Sequence, residues 1–188
     1  MPNIWPELML SAINLENEKL LIHPFRPEDL RRFEVLTKDI FDILSDEQTL
    51  KFIPGKRLKS LGEAELFLQT SIVNYHSGRN YLHFITHKEL NKVIGMIDLI
   101  SPEVAKEHYK MDHYPFFLEF YLGSYASGCN IMTQILPQFV DNLVLQGIAK
   151  IGAVVRRENI AARIVLEKTN FKYKASFDPV QDLYEKTS

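Results

Sequence analysis

Apolar side chains recur at helical spacing in two stretches of the first half of the chain, and each stretch has a recognisable start. Pro27 suits the first position of one helix, and Ser60 with Glu63 forms a capping box before the other. The apolar stripes behind these starts are Leu30, Phe33, Leu36 and Ile40, and then Ala64, Phe67, Leu68 and Ile72. The pattern therefore predicts two amphipathic helices before residue 78, and Ser45-Asp46-Glu47-Gln48 indicates the start of a third.

The second half alternates between strand-like and helical segments. Strands are predicted at 20–25, 81–86, 92–100, 116–122 and 148–155, with a closing hairpin at 171–177 and 180–186. Further helices are predicted at 131–146, which Gly147 ends, and from a cap at Asn159 to residue 169. Residues 101–114 are predicted to be a charged loop.

The order of these elements predicts an α+β fold with a mixed, mostly antiparallel central sheet flanked by helices. Three consecutive strands indicate an antiparallel meander, and the later strand–helix alternation indicates some parallel pairing. A length of 188 residues without a Pro/Gly/Ser linker favours one domain over 1–188, with 1–18 as a peripheral N-terminal segment.

Composition excludes several classes of protein. A net charge of −2 argues against bulk binding to nucleic acid or to an anionic membrane, so neither partner is expected. The single cysteine excludes an internal disulfide and a cysteine-based zinc cluster, and no metal is expected. The first residues lack the basic and apolar regions of a secretory signal, so a cytoplasmic protein is expected.

A glycine-bearing loop connects the predicted strand 116–122 to the next helix. The first N–H groups of a helix have no internal partners and lie at the positive end of its dipole, so this junction suits a pyrophosphate. Gly128 would let such a group approach the backbone closely. An ordinary strand-to-helix turn is the alternative interpretation.

Three motifs in order resemble the GNAT superfamily of N-acetyltransferases, most closely the branch of ribosomal-protein N-terminal acetyltransferases. The first is the opening segment 19–29. The second is Phe120-Tyr121-Leu122, followed by the Gly128 loop and Ile131-Met132-Thr133. The third is Glu158-Asn159-Ile160-Ala161-Ala162 with Leu166-Glu167-Lys168-Thr169-Asn170-Phe171. The chain departs from this pattern at Asn130, which replaces the second glycine of the loop, and at Tyr125, which replaces Gln or Arg. Asn tolerates left-handed geometry, so the loop could keep its shape, but its side chain could instead obstruct the phosphate path.

The resemblance implies that acetyl-CoA binds between two splayed parallel strands, here 116–122 and 148–155, with the cofactor arm pairing like an added strand. The residues implied to bind it are Phe120, Tyr121, Leu122, Ser127, Gly128, Cys129, Asn130, Ile131, Met132, Asn159 and Ala162. Direct acetyl transfer leaves no role for Cys129 as a nucleophile, and no predicted His base lies beside it.

Amine acetylation needs a base, because an alkylammonium must lose its proton before it attacks. Glu119 is the leading candidate, since a carboxylate in an apolar strand is costly unless it faces solvent or a site, and Asp98 is the second. Asn159 is the other predicted catalytic residue, through placement of the cofactor. Leu166 stands where many relatives carry a tyrosine acid, so that acid is expected to be missing.

The predicted function is transfer of an acetyl group from acetyl-CoA to a primary amine, with a protein or peptide N-terminus as one acceptor and a small amine as another. Acceptor selection is expected in 57–78 and 101–114, because loops vary most. A non-catalytic acyl-CoA-binding or protein-interaction module with the same fold is the alternative. Oligomer formation stays open.

Overall fold

The computed structural model describes residues 10–188 and contains one eight-stranded mixed sheet. Its strand order is β1-β2-β3-β4-β5-β6-β8-β7. The strands are β1 (Leu15–Glu16), β2 (Leu20–His23), β3 (Asn80–His87), β4 (Lys92–Ile100), β5 (Phe116–Leu122), β6 (Lys150–Arg156), β7 (Lys172–Ser176) and β8 (Gln181–Thr187). The α-helices are α1 (Phe33–Ser45), α2 (Glu47–Leu50), α3 (Leu61–His76), α4 (Pro102–His108), α5 (Ile131–Leu145) and α6 (Ile160–Lys168). None of the described helices is long and apolar enough to cross a membrane.

The sheet confirms the predicted mixture of pairings. Strands β2 to β5 form an antiparallel meander, β5 and β6 run parallel, and β7 and β8 form the closing hairpin. The α+β class with a mostly antiparallel sheet is therefore confirmed.

Strands β5 and β6 touch at one end and then separate. Only two residue pairs join them, Phe116 with Ile151 and Phe117 with Gly152. A side chain at Gly152 would place its Cβ 2.9 Å from Cε1 of Phe117, so the glycine lets the phenyl ring lie against β6 at the closed end. Beyond this point the ladder stops, which confirms the predicted pair of splayed parallel strands.

Apolar side chains cover both faces of the sheet. Helices α5 and α6 pack on one face, where Phe139 and Leu166 join Leu118 of β5. Helices α1 and α3 cover the other face, where Ile40 and Leu68 join the strands. The side chains that contribute from the strands to this second layer are Leu82, Phe84, Val93, Met96 and Tyr121. The alternation of side chains in β4 and β5 therefore places Asp98 and Glu119 on the α1–α3 face, two residues from Met96 and Tyr121.

Two local predictions need comment. Part of the segment predicted to be peripheral belongs to the fold, because Ile13 is buried in the core and β1 pairs with β2; residues 1–9 lie outside the described part of the chain. The predicted loop 101–114 contains α4, whose start is capped by the hydroxyl of Ser101, an acceptor for the Val104 N–H. Asn170 follows α6 in the left-handed conformation that suits the end of a helix.

Candidate active site

The gap between β5 and β6 continues into a cleft of about 490 Å³. Its walls come from the end of β5, the loop before α5, the first turn of α5, and α6. Every residue predicted to bind the cofactor lines this cleft except Cys129: Phe120, Tyr121, Leu122, Ser127, Gly128, Asn130, Ile131, Met132, Asn159 and Ala162. The structure thus brings together residues that are more than thirty positions apart in the sequence.

The loop before α5 keeps the backbone shape that two glycines would give. Gly128 has φ +80° and Asn130 has φ 56°, so both residues are left-handed. A Cβ built at Gly128 would meet nothing within 4 Å, which leaves open space over this part of the loop. Asn130 makes no side-chain capping bond to α5. The positive end of the helix is therefore available to an anion.

Tyr125 stands where the family pattern has Gln or Arg, but its side chain does not line the cleft. Its hydroxyl donates to the Val93 carbonyl oxygen at 3.2 Å, and Lys92 lies over its ring, 4.8 Å from the centre. Burial raises the pKa of Tyr125 to about 12, so the phenol stays protonated as a donor. Tyr125 therefore holds the loop to β4 and is not part of the cleft wall.

The opposite wall of the cleft is α6. The side chain of Asn159 accepts a hydrogen bond from the Ala162 N–H at 3.2 Å, as its predicted capping role requires. Lys168, at the other end of α6, also lines the cleft and is a cation that sequence reasoning missed. Its position fits a phosphate-bearing ligand.

Helix α2 supplies a third wall that the sequence motifs did not indicate. Thr49, Phe52 and Ile53 line the cleft there. The Thr49 hydroxyl accepts a hydrogen bond from the Ser124 N–H at 3.1 Å and ties α2 to the loop. The signal available was a short polar helix start at residues 45–48, which carries no ligand information by itself.

The two acidic candidates lie side by side on the α1–α3 face of the sheet. Asp98 and Glu119 are directly paired across β4 and β5. Asp98 accepts a hydrogen bond from Nδ2 of Asn80 at 3.0 Å, and Oε2 of Glu119 is 2.5 Å from Nζ of Lys56. Oδ1 of Asp98 is shielded from solvent and has no hydrogen-bond partner in the described part of the chain.

The environment of Asp98 changes its acidity. Burial raises the pKa of Asp98 to about 6, and Glu119 adds to this, whereas Lys56 and the Asn80 hydrogen bond oppose it. A carboxyl group with this pKa can accept and release protons near neutral pH. The structure brings Glu119, the leading candidate from the sequence, and Asp98, the second, into the same site, and it gives Glu119 a cationic partner.

The remaining candidates lie away from reacting groups. Cys129 is exposed, and its Sγ lies 3.9 Å from the Ser127 carbonyl oxygen. Leu166 is buried in the α5–α6 core layer. Neither residue offers an acid or a base to the cleft.

Comparison with known proteins gives this cleft its context. The sequence profile of the acetyltransferase (GNAT) domain matches residues 19–172, which is most of the chain. The chain belongs to the GNAT acetyltransferase family. The predicted enzyme class, an acetyltransferase, is thereby confirmed. No curated protein sequence matches the chain.

Solved GNAT-fold structures are similar to almost the whole chain, although their sequences are distant. The ribosomal-protein-S5-alanine acetyltransferase of Vibrio fischeri has a TM-score of 0.71 at 14% identity, over 93% of this chain and 96% of that one. A ribosomal L7/L12 α-N-protein acetyltransferase in complex with coenzyme A has a TM-score of 0.69 at 16% identity, over 94% and 98%. The microcin C7 self-immunity acetyltransferase, in complex with acetyl-CoA and AMP, has 0.69 at 15%, over 92% and 94%. At these identities the likeness shows the GNAT fold.

Proposed function

We propose that this GNAT-family chain transfers an acetyl group from acetyl-CoA to a primary amine by direct attack. The observation that carries the proposal is the cleft beside the end of β5, where β5 has separated from β6, which reaches the uncapped start of α5. The open edge of β5 suits a pantetheine arm. The empty space over Gly128 and the positive helix end suit a pyrophosphate. Two solved proteins of the same fold are in complex with coenzyme A or acetyl-CoA.

Each wall of the cleft has a part in binding. The N–H groups at the start of α5 and the Lys168 ammonium would face the phosphates, and the separated edge of β5 would pair with the amides of the arm. Bound acetyl-CoA supplies an activated thioester. Asn159 would fix the wall beside the arm through its cap on α6.

The acidic pair supplies the proton acceptor. Asp98, with its raised pKa, would take the proton of the acceptor ammonium, and the neutral nitrogen would then form a bond to the acetyl carbon as the carbon–sulfur bond breaks. The thiol of coenzyme A needs little assistance as a leaving group, because its pKa is about 8.5. Asp98 is therefore the proposed base, and Glu119 its charged neighbour.

The acceptor is proposed as a primary amine. Two solved proteins of this fold are described as acting on a ribosomal-protein alanine or α-amine, and a third as giving immunity to microcin C7. A peptide N-terminus and a small amine are therefore both candidate acceptors, and the test includes both. The predicted location in the cytoplasm and the single-domain organisation stay predictions.

Thiol release from acetyl-CoA, followed across a panel of peptides and small amines, tests the proposal. Amine-dependent release is expected, and it should fall in G128V, because a branched side chain at φ +80° is strained and would fill the space over the loop. The control is G62A in α3, where a Cβ finds only the Ser60 hydroxyl at 3.7 Å. Binding of acetyl-CoA without release by any amine would instead support the non-catalytic module.

A further inference from the structure

The acidic pair already holds an ammonium group, and that group belongs to this chain. Nζ of Lys56 lies 2.5 Å from Oε2 of Glu119 and 5.7 Å from the centre of the Tyr121 ring. The side chains of Lys56 and Glu119 are only 29% and 31% exposed, so this ion pair is partly shielded from water. Carboxylate and aromatic face are the two kinds of group that bind an alkylammonium.

Lys56 stays charged in this position. Burial works against the charge, but the neighbouring acidic groups Tyr121, Glu119 and Asp98 raise the pKa of Lys56 above its ordinary value. The site therefore stabilises a primary ammonium at the end of an unbranched four-carbon stem.

The pair lies between two clefts. Tyr121 lines the cleft proposed for acetyl-CoA, whereas Lys56 and Asp98 line a second cleft of about 430 Å³ on the α3 side of the sheet. The second cleft combines apolar and polar side chains: Leu58, Leu66, Phe67, Leu82, Thr70, Ser71, Asn74 and Asn80. A molecule in this cleft therefore contacts Lys56 and Asp98, and Lys56 is paired with Glu119.

The Lys56 side chain can leave Glu119 by rotation about its own flexible four-carbon stem. Lys56 ends a short 3₁₀ turn, Pro54–Lys56, whose Pro54 and Gly55 are exposed. The residues on either side of the turn are anchored, because Ile53 and Leu58 pack against the core and the Leu58 N–H donates to the Leu44 carbonyl oxygen at 2.9 Å. The displacement is therefore one of the side chain and not of the segment.

We infer that Lys56 is a tethered occupant of the acceptor subsite, and that the acceptor it stands in for is a primary ammonium on an unbranched alkyl chain. This inference rests on the proposed function for the identity of the subsite. The acceptor displaces Lys56, binds between Glu119 and the Tyr121 ring, and gives its proton to Asp98. A tethered group competes at an effective concentration of about millimolar, so Lys56 weakens the binding of every free amine.

Calorimetry with n-butylamine, in the absence of acetyl-CoA, tests the occupancy directly. K56M should bind the amine at least about tenfold more tightly than the wild type, because it removes the intramolecular competitor. K56R keeps the positive charge and should bind as weakly as the wild type. K38M, at an exposed position of α1 outside the predicted acceptor loops, is the control and should also match the wild type. Melting curves verify that each variant folds. K56Q, a second uncharged variant, should bind the amine as K56M does.

A second variant identifies the pocket. Adding E119Q to K56M should remove the gain in amine affinity, since the ammonium then loses its carboxylate. Equal affinity in the wild type, K56M and K56R would overturn the inference. Weaker binding in K56M would overturn it too, because Lys56 would then hold Glu119 in place for the acceptor and not compete with it.

Steady-state acetylation distinguishes an amine on an unbranched alkyl chain from a peptide α-amine as the acceptor. It also distinguishes a failure of this inference from a failure of the proposed function. Among acceptors, n-butylamine and Nα-acetyl-lysine amide should both show a lower KM in K56M, and a peptide with only a free α-amine, on a branched carbon, should have a higher KM than either of them in both proteins. A preference for the α-amine would overturn the inferred acceptor class while leaving acetyl transfer intact. Absence of thiol release with every amine, together with tighter amine binding by K56M, would refute the proposed function alone.

Discussion

Asp98 on β4 and Glu119 on β5 are direct cross-strand partners, so their side chains leave the same face of the sheet. Two carboxylates at this separation repel each other, and a sheet tolerates them only with compensation. Here Lys56 pairs with Glu119, and Asn80 donates to Asp98. The two acids therefore differ in their surroundings: Glu119 has a cationic partner, and Asp98 has a raised pKa.

Substitution of Asp98 should remove the base without removing the cofactor site. We expect D98N to lower kcat for amine acetylation by about 100-fold or more, the size of effect general bases have. Acetyl-CoA affinity, measured by calorimetry, should stay within about twofold, because Asp98 does not line that cleft. E89Q, in the exposed turn between β3 and β4, is the control and should retain full activity. Full activity in D98N would contradict the role of Asp98.

The pH dependence of kcat/KM should follow Asp98. Because its pKa is raised to about 6, the basic form appears as the pH increases through that value, and activity should rise with it. Glu119 raises this pKa and Lys56 lowers it. The rising limb should therefore move to lower pH in E119Q and to higher pH in K56M. Limbs that do not move, or that move in the same direction, would exclude Asp98 as the group titrated.

Most of the fold could be predicted from local patterns. The strand segments 92–100 and 116–122 were found with correct bounds because alternating β-branched and aromatic residues fit a pleated sheet. Helix α4 was missed because it is only seven residues long and four of them are charged or polar, although Ser101 and Pro102 are a recognisable start. Periodicity detects an apolar stripe, and α4 has little of one.

The site was only partly predictable for a different reason. The Gly128 loop and Asn159 carry local motifs, so their positions on the cleft could be expected from the sequence. The contacts of Lys56 with Glu119 and of Asp98 with Asn80 join residues far apart in the chain. Sheet register brings Asn80 to Asp98, and the packing of a turn against the sheet brings Lys56 to Glu119. A single sequence states neither in advance.

The side chain of Asn130 provides a test of the departure from the family pattern. Asn130 is left-handed and lines the cleft, so N130G keeps the backbone shape and removes the side chain from the phosphate path. We expect N130G to bind acetyl-CoA more tightly than the wild type, by about three- to tenfold, with little change in melting temperature. N130V should bind more weakly, because a β-branched residue is strained at this φ. Weaker binding by N130G would show that the Asn130 amide contacts the cofactor.

The closed end of the β5–β6 gap depends on Gly152. In G152A the new methyl group would lie 2.9 Å from Cε1 and 3.2 Å from Cδ1 of Phe117, whose ring is buried. Overpacking of this kind costs about 1–3 kcal/mol, so we expect the free energy of unfolding in urea to fall by that amount. G62A, near the start of α3, adds a methyl group with ordinary contacts and should be neutral or stabilising by up to about 1 kcal/mol. In the double variant G152A/F117L, the smaller leucine side chain replaces the ring and relieves the contact. This variant should therefore lose less stability than the sum of its two single substitutions. Additive losses would mean that Phe117 and Gly152 do not set where the two strands part.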